Sequence, residues 1–291
     1  MVRKRYDLAL PDGRRLELGA RTLVMAIINV TPDSFADGGI RLDPARAADA
    51  ALRMVEEGAD ILDIGGESTR PGAEPLPADE ELRRVLPVLD ALAGRIGVPI
   101  SIDTYKAQVA EAAIDRGASI VNDISGLLYD PAVGGVAARR GAALVLMHHR
   151  GRSSNMYREA DYGDVIREVS SELTARIEAA MTAGVARERI IIDPGLGFAK
   201  RPEHTYAALA GLTRLAALDR PILVGASRKS FLREAVGDKP AAGRLWASAA
   251  AVTAAVLNGA HIVRVHDVPE MVDVVRTADR ILDASTRREA P

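Results

Sequence analysis

The chain contains no cysteine in 291 residues, which removes disulfides, thiolate nucleophiles and thiolate metal sites together. It also lacks a strong charge of either sign. The formal net charge is −2 and the isoelectric point about 6.3, so the electrostatic footprint of a nucleic-acid binder is missing and small molecules are the expected partners. No run approaches the roughly eighteen apolar residues that cross a bilayer, and "MVRKRYDLALPDG" at the start has no apolar stretch of signal-peptide length. A cytoplasmic protein without nucleic-acid or membrane partners is expected. Lysine is scarce: Lys4, Lys106, Lys200, Lys229 and Lys239 stand among 38 basic residues. A lysine kept inside a polar loop then suggests a need for a compact ammonium rather than a planar fork. There is no Pro/Ser-rich linker or low-complexity block, which predicts one domain over residues 1–291.

What is present is a repeating pattern. After "YDLALPDGRRLEL", which alternates around a Pro-Asp-Gly turn as a hairpin over about residues 5–19, short apolar β-prone runs alternate with helix-like segments. The runs lie near Val24–Ile28, Ile61–Ile64, Pro99–Ile102, Ser119–Val121, Ala143–Met147, Ile190–Ile192, Ile222–Val224 and Ile262–Val265. Helices are expected near Pro44–Glu57, Ala78–Ala93, Lys106–Arg116, Pro131–Arg140, Asp164–Ala183, Pro202–Gly211, Lys229–Asn258 and Pro269–Ala284. Eight such units with right-handed crossovers close into an α/β fold of the (β/α)8 TIM-barrel type, preceded by the short hairpin. An open doubly wound sheet is the competing architecture, but no G-x-G-x-x-G follows an early strand.

A barrel gathers the residues after each run at its C-terminal face. Those positions read Asn29, "GGESTRPG", Asp103, "NDISG", "MHHRG", "DPGLGFAK", "GASRKSFL" and "RVHD". One capping Asp or Asn is unremarkable; a ring of them predicts a site. Asp103, Asn122 and Asp193 suit a flat heterocycle that presents N–H donors, since a carboxylate accepts two parallel N–H bonds. Arg264 and His266, two apart in an extended segment, share a side and with Thr69, Arg70 and Lys229 supply positive charge and hydrogen-bond donors for a phosphate group. Other signals are expected to be structural. Adjacent His148 and His149 face opposite ways and do not share a metal, "EELRR" at 80–84 is a solvated helix face, and Trp246 anchors its helix against the barrel or a subunit interface. "GGESTRPG" lacks the G-K-[ST] ending of a P-loop, although its glycines permit close backbone approach.

The segments "INVTPDSFADGG", "DIGGESTRPGA", "ISIDTYK", "VNDISG", "DPGLGFAK", "GASRKSF" and "RVHD" together resemble the dihydropteroate synthase family, in order and over nearly the whole chain. The resemblance implies a (β/α)8 transferase of folate biosynthesis that joins 4-aminobenzoate to (7,8-dihydropterin-6-yl)methyl diphosphate, with Mg2+ and as a homodimer. Carried over motif by motif, it implies that Asp103, Asn122, Asp193, Lys229 and Arg264 hold the pterin with Met147 packed on it. Asn29, Thr69, Arg264 and His266 would take the diphosphate, Asn29 also binding Mg2+. Phe35, Arg70, Pro71, Phe198 and Ser227 would form the aminobenzoate pocket, which sulfonamides would share, while Asp33 steadies the closed loops and "VTPDSFADGG" acts as a lid. Asp103, Lys229, Arg264, Asp33 and Phe35 are the implied catalytic set. His149 departs from the family, which more often has Met there. Two competing readings are a methyltetrahydrofolate-type pterin-binding methyltransferase domain, which should lack "TPDSF" and the Arg264/His266 pair, and a non-catalytic pterin-binding paralogue, in which these motifs would be degraded.

Overall fold

The computed structural model describes residues 3–31, 43–68, 72–152 and 156–287. The chain opens with the hairpin β1 (Tyr6–Ala9) and β2 (Arg15–Leu18), antiparallel with Tyr6 opposite Leu18. There follow β3 (Leu23–Asn29), α1 (Pro44–Glu56), β4 (Ile61–Gly65), α2 (Ala78–Leu92), β5 (Ile100–Asp103), α3 (Ala107–Ile114), β6 (Ala118–Asp123) and α4 (Ala132–Arg140). The second half comprises β7 (Ala143–Met147), α5 (Val165–Thr182), β8 (Ile190–Asp193), α6 (Pro202–Ala210), β9 (Leu223–Val224), α7 (Arg233–Val236), α8 (Leu245–Leu257), β10 (Ile262–Val265) and α9 (Val268–Arg287). Eight parallel strands run in the order β8-β7-β6-β5-β4-β3-β10-β9. One parallel bridge, Ile192 to Ile222, joins the ends into the expected barrel.

Strand alternation divides the apolar residues between two clusters. Val24, Ala26, Ile28, Leu62, Ile64 and Ile102 face outward and pack beneath the helices. Leu23, Met25, Ile61, Ile120, Val145, Ile191, Leu223 and Ile262 face inward and meet Leu8, Leu10, Leu16 and Leu18 of the hairpin. Most of these inward residues lie in the early part of their strands, so the hairpin plugs the N-terminal mouth. Polar inward residues are thereby left to the other end, where barrels carry their sites. Local chemistry places the helices: Asp43 accepts from the Ala45 N–H at 3.0 Å with Pro44 at the first position, and Asp164 caps α5 through the Arg167 N–H at 3.1 Å.

Two expectations are corrected here. The single helix over Lys229–Asn258 is instead a 3-10 turn at Ser230–Leu232, α7, a second turn at Ala241–Arg244, and α8. Gly237 breaks it at φ 75° and ψ −170°, and Pro240 follows without an N–H to donate. Trp246 is not anchored on the barrel, since 77% of its surface is exposed on α8.

Candidate active site

The polar half of the barrel is organised around Arg264, the third residue of β10. Its Nε donates to Asp63 Oδ2 at 2.5 Å and its Nη2 to Asp103 Oδ2 at 2.6 Å. Asp63, in the middle of β4, is fully buried and also accepts from Asn122 Nδ2 at 3.1 Å. Room for this cluster comes from Gly65, the next inward residue of β4. A Cβ there would lie 3.2 Å from Asp103 Cβ, tighter than ordinary contact. Burial pushes the Asp103 carboxyl up to about 7; Arg264 pulls against that, while Asp63, Glu81 and Glu67 add to it. Burial alone would lower Arg264, but Asp63 and Asp103 hold it above its ordinary value.

A second group sits on the loops after β8 and β9. Asp193, raised by burial, accepts from the Gly195 N–H at 2.7 Å. Lys229 Nζ donates to Leu196 O at 2.7 Å and lies 4.1 Å from the Phe198 ring centroid. Burial brings this lysine down to about 8, with Asp193 opposing. Ser227 Oγ lies 3.0 Å from His266 Nδ1 and accepts the His266 backbone N–H at 3.2 Å. The serine hydroxyl thus holds both the ring and the backbone of His266 in place at the end of β10. Ala199 and Arg228, at φ 47° and 58°, are non-glycine residues in left-handed backbone beside Phe198 and Lys229. Such strain persists only where surroundings enforce it, and Asp267 and Ser248 Oγ hold Arg228.

Asn29 ends β3, Asp103 ends β5, Met147 ends β7 and Asp193 ends β8. With Asn122, Ser227, Lys229, Arg264 and His266, these predicted residues share the C-terminal face. Phe198 stands beside them on the β8 loop, its ring edge-on to His149 at 5.6 Å. Asp33, Phe35, Thr69, Arg70 and Pro71 lie outside the described residues. His148 and His149 do face different neighbours: Tyr162 is beside the first, Tyr129 and Phe198 beside the second.

Several buried charges escape a sequence reading. "EELRR" is not simply a solvated face, because Glu81 is fully buried and pairs with Lys106, which also binds Glu67 on the loop after β4. Arg84 from the same stretch donates to Gly66 O at 2.9 Å. Lys200, 1% exposed, donates to Gly195 O and Phe198 O at 3.1 Å each and to His148 Nδ1 at 2.8 Å. Burial holds Lys200 well below its ordinary value and, with Lys200 adding to it, lowers His148 to about 3. Nε2 of the same ring lies 3.1 Å from Glu172 Oε2. The available signal for Lys200 was its rarity: three of the five lysines, Lys106, Lys200 and Lys229, serve loops of this face.

A family model described as pterin binding enzyme matches residues 25–266. The dihydropteroate synthase of Synechocystis sp. is 45% identical over 273 residues, covering 94% of each chain. That of Escherichia coli K12 is 42% identical over 265 residues, 91% of this chain and 93% of the other. The structure of Xanthomonas albilineans dihydropteroate synthase with 4-aminobenzoic acid superposes with a TM-score of 0.89 at 41% identity, covering 99% of this chain and 100% of that one. The Burkholderia cenocepacia enzyme complexed with 7,8-dihydropteroate gives 0.85 at 43% identity over 97% and 98%. A match of this extent, with the polar ring in place, means that the chain belongs to the pterin-binding, dihydropteroate synthase family.

Proposed function

We infer that this chain condenses (7,8-dihydropterin-6-yl)methyl diphosphate with 4-aminobenzoate, giving 7,8-dihydropteroate and diphosphate. The observation that carries the reading is Arg264 held between Asp63 and Asp103 in the ring that also bears Asn122, Asp193 and Lys229. Asp103, Asn122 and Asp193 supply acceptors for the amino-pyrimidinone edge, Lys229 a compact donor, and Met147 an apolar surface. Arg264, His266 and Thr69 take the diphosphate. Phe198 and Ser227, with Phe35, Arg70 and Pro71, form the aminobenzoate side.

The chemistry needs no protein nucleophile. The methylene C–O bond breaks with its electron pair leaving on diphosphate, and the resulting cation is conjugated with the pterin ring. Asp63, Asp103 and Asp193 line this end of the barrel, and an ionised carboxylate there favours a developing positive centre. The lone pair of the aminobenzoate amine then forms the C–N bond, and its proton is released. Water would trap the same cation, so the lid role that the resemblance implies for Asp33 and Phe35 would have a chemical purpose.

Mg2+ belongs to this reading. Asn29, half-buried at the rim, offers an amide oxygen, and Mg2+ characteristically takes one or two protein oxygens together with substrate phosphates. Asn29 would hold the ion, which supplies neutralisation of diphosphate charge; calorimetry of diphosphate binding with and without Mg2+ tests it. A homodimer would cover exposed apolar side chains such as Trp246 on α8 and Ile281 on α9, and sedimentation reads its mass. None of the described helices is long and apolar enough to cross a membrane, in keeping with a cytoplasmic location.

Diphosphate release measured with and without 4-aminobenzoate, alongside dihydropteroate formation, tests the activity. Release that depends on 4-aminobenzoate supports it. A methyltransferase domain or a non-catalytic paralogue would release none.

The Asp103 shift adds a pH signature. An unfolded aspartate titrates near 3.8 and this one at about 7, so between those values the folded state binds more protons. Its contribution makes the empty protein lose stability as pH rises through that window. Pterin affinity should run the opposite way, because only the carboxylate accepts two N–H bonds. Affinity for a pterin lacking the diphosphate is expected to fall about tenfold per unit below pH 7, read by calorimetry, and Asp103→Asn should remove the slope. A flat wild-type profile would take Asp103 out of the contact.

A further inference from the structure

We propose that Asp63 is a positioning residue for the reaction, a buried carboxylate beneath the polar ring that orients Arg264 and Asn122 together. The proposal rests on the function inferred above and extends it to a residue beneath the substrate-facing ring.

Three observations carry it. First, a single oxygen, Oδ2, accepts from both Arg264 Nε and Asn122 Nδ2. The two donors sit 201 and 59 residues from Asp63 in sequence, so no local structure sets their relation; the shared acceptor does. Second, Asp63 is fully buried, and its other oxygen, Oδ1, is buried without a hydrogen-bond partner among the described residues. Burying a carboxylate is costly unless it is paired, and a half-satisfied one points to a role other than stability. A fold-only role at this inward position is better filled by an apolar side chain, as Ile61 does two residues earlier in the same strand. Third, the bond pattern fixes an orientation. Arg264 uses Nε on Asp63 and Nη2 on Asp103, on one side of the guanidinium. Its Nη1 is thereby left to point away from both carboxylates, where a diphosphate oxygen can accept. Asn122, having spent an N–H on Asp63, presents its amide oxygen in a defined direction. The ambiguity of the amide is removed, since a carboxylate can only accept.

The carboxylate therefore acts through two residues that meet substrate, without meeting it. It also adds a negative charge beneath Asp103. Arg264 and Lys229 favour the charged form of Asp103, while Asp63, Glu81 and Glu67 oppose it. Removing Asp63 leaves Arg264 to act on Asp103 with one opposing charge fewer.

Asp63→Asn keeps the shape, and its amide oxygen can still accept at the Oδ2 position, but the charge is gone. We expect kcat/KM for the pterin diphosphate to fall at least thirtyfold, mostly in kcat, with KM for 4-aminobenzoate within twofold. The midpoint of the Asp103-dependent limb in pterin binding should move below 7. A merely structural residue would shift neither the midpoint nor the balance between kcat and KM. Asp63→Ser provides a second variant if the amide does not yield folded protein. Arg264→Lys, which lacks the Nε donor, completes a cycle: if Asp63 acts partly through Arg264, adding Asp63→Asn to Arg264→Lys should cost clearly less than Asp63→Asn costs alone, the remainder being the share carried by Asn122. Fully additive losses, or Asp63→Asn within threefold of wild type with an unmoved midpoint, would overturn the proposal. Wild-type protein that fails to release diphosphate would instead overturn the inferred activity, so the two failures are distinguishable.

Discussion

Replacing Arg264 with Gln is expected to lower kcat by about 10²–10³, the usual loss when one preorganised donor is removed from a site where charge develops. The structure gives reason to expect the upper part of that range. Arg264 meets two carboxylates at 2.5 and 2.6 Å, so its loss removes the donor proposed for the leaving group and exposes Asp63 and Asp103 to each other at once. Breaking a buried pair by deleting one partner costs about 3–5 kcal/mol of stability. The sign of the pH effect follows. An ionised Asp103 would face Asp63 with no guanidinium between them; toward pH 5 Asp103, raised to about 7 by burial and higher still once Arg264 no longer pulls against that, takes up a proton and relieves the repulsion. The variant should therefore recover much of its stability, but not its turnover, on acidification. Urea unfolding at pH 5 and pH 8, with steady-state kinetics, checks both halves. Equal destabilisation at both would remove Arg264 as the counter-charge of Asp103.

Gly195→Ala should be the most damaging of the small substitutions. At φ 66° an alanine is strained, and its Cβ would lie 2.0 Å from the backbone carbonyl oxygen of His148. Backbone cannot swing aside as a flexible side chain can. The same residue ties Asp193 through its N–H and Lys200 through its carbonyl, so any shift dislodges both. A loss above about 4 kcal/mol is expected, in the range reserved for overpacking combined with a broken buried network. Gly197→Ala is the control. It also has a positive φ, 77°, but its Cβ would meet Lys229 Cδ at 3.4 Å, ordinary contact, so only the left-handed strain of about 1–2 kcal/mol remains. Comparable urea midpoints for the two variants would contradict the clash.

The architecture was legible because each barrel strand is a short apolar run between polar loops, and because the ring of Asn29, Asp103, Asn122 and Asp193 falls at the strand ends. The broken helix after Lys229 was not, since Ala and Arg on both sides of Gly237 and Pro240 give a helical composition that two residues override. Buried charge was the other failure. Glu81 reads as solvent-facing beside Glu80, Arg83 and Arg84, and only the fold brings Lys106 to it. Asp63 gave a signal that could have been used: an acid flanked by Leu62 and Ile64 in a strand must occupy the inward face of the barrel. Its partner Arg264 is too far along the chain for any spacing rule to connect them. The lid and the loop of Thr69, Arg70 and Pro71 lie outside the described residues, so those roles rest on the family resemblance.

The barrel is a cylinder with a seam. Seven of its eight strand-to-strand junctions are ladders, but between β8 and β9 there is one bridge, Ile192 to Ile222, and β9 itself is two residues long. The Ile222 amide is not paired with a neighbouring strand at all; it donates to His261 Nδ1 at 3.1 Å, and Nε2 of that ring lies 3.0 Å from Lys4 O. Breathing of the wall is thus expected to begin here. Ile222 and Leu223 should exchange their amide hydrogens ahead of the β3–β7 staves. Because Asp193 and Lys229 stand on opposite lips of this seam, a widening of the wall would part the two groups proposed to close on one edge of the pterin. The place where the cylinder is least stitched is also where its grip on substrate would be released.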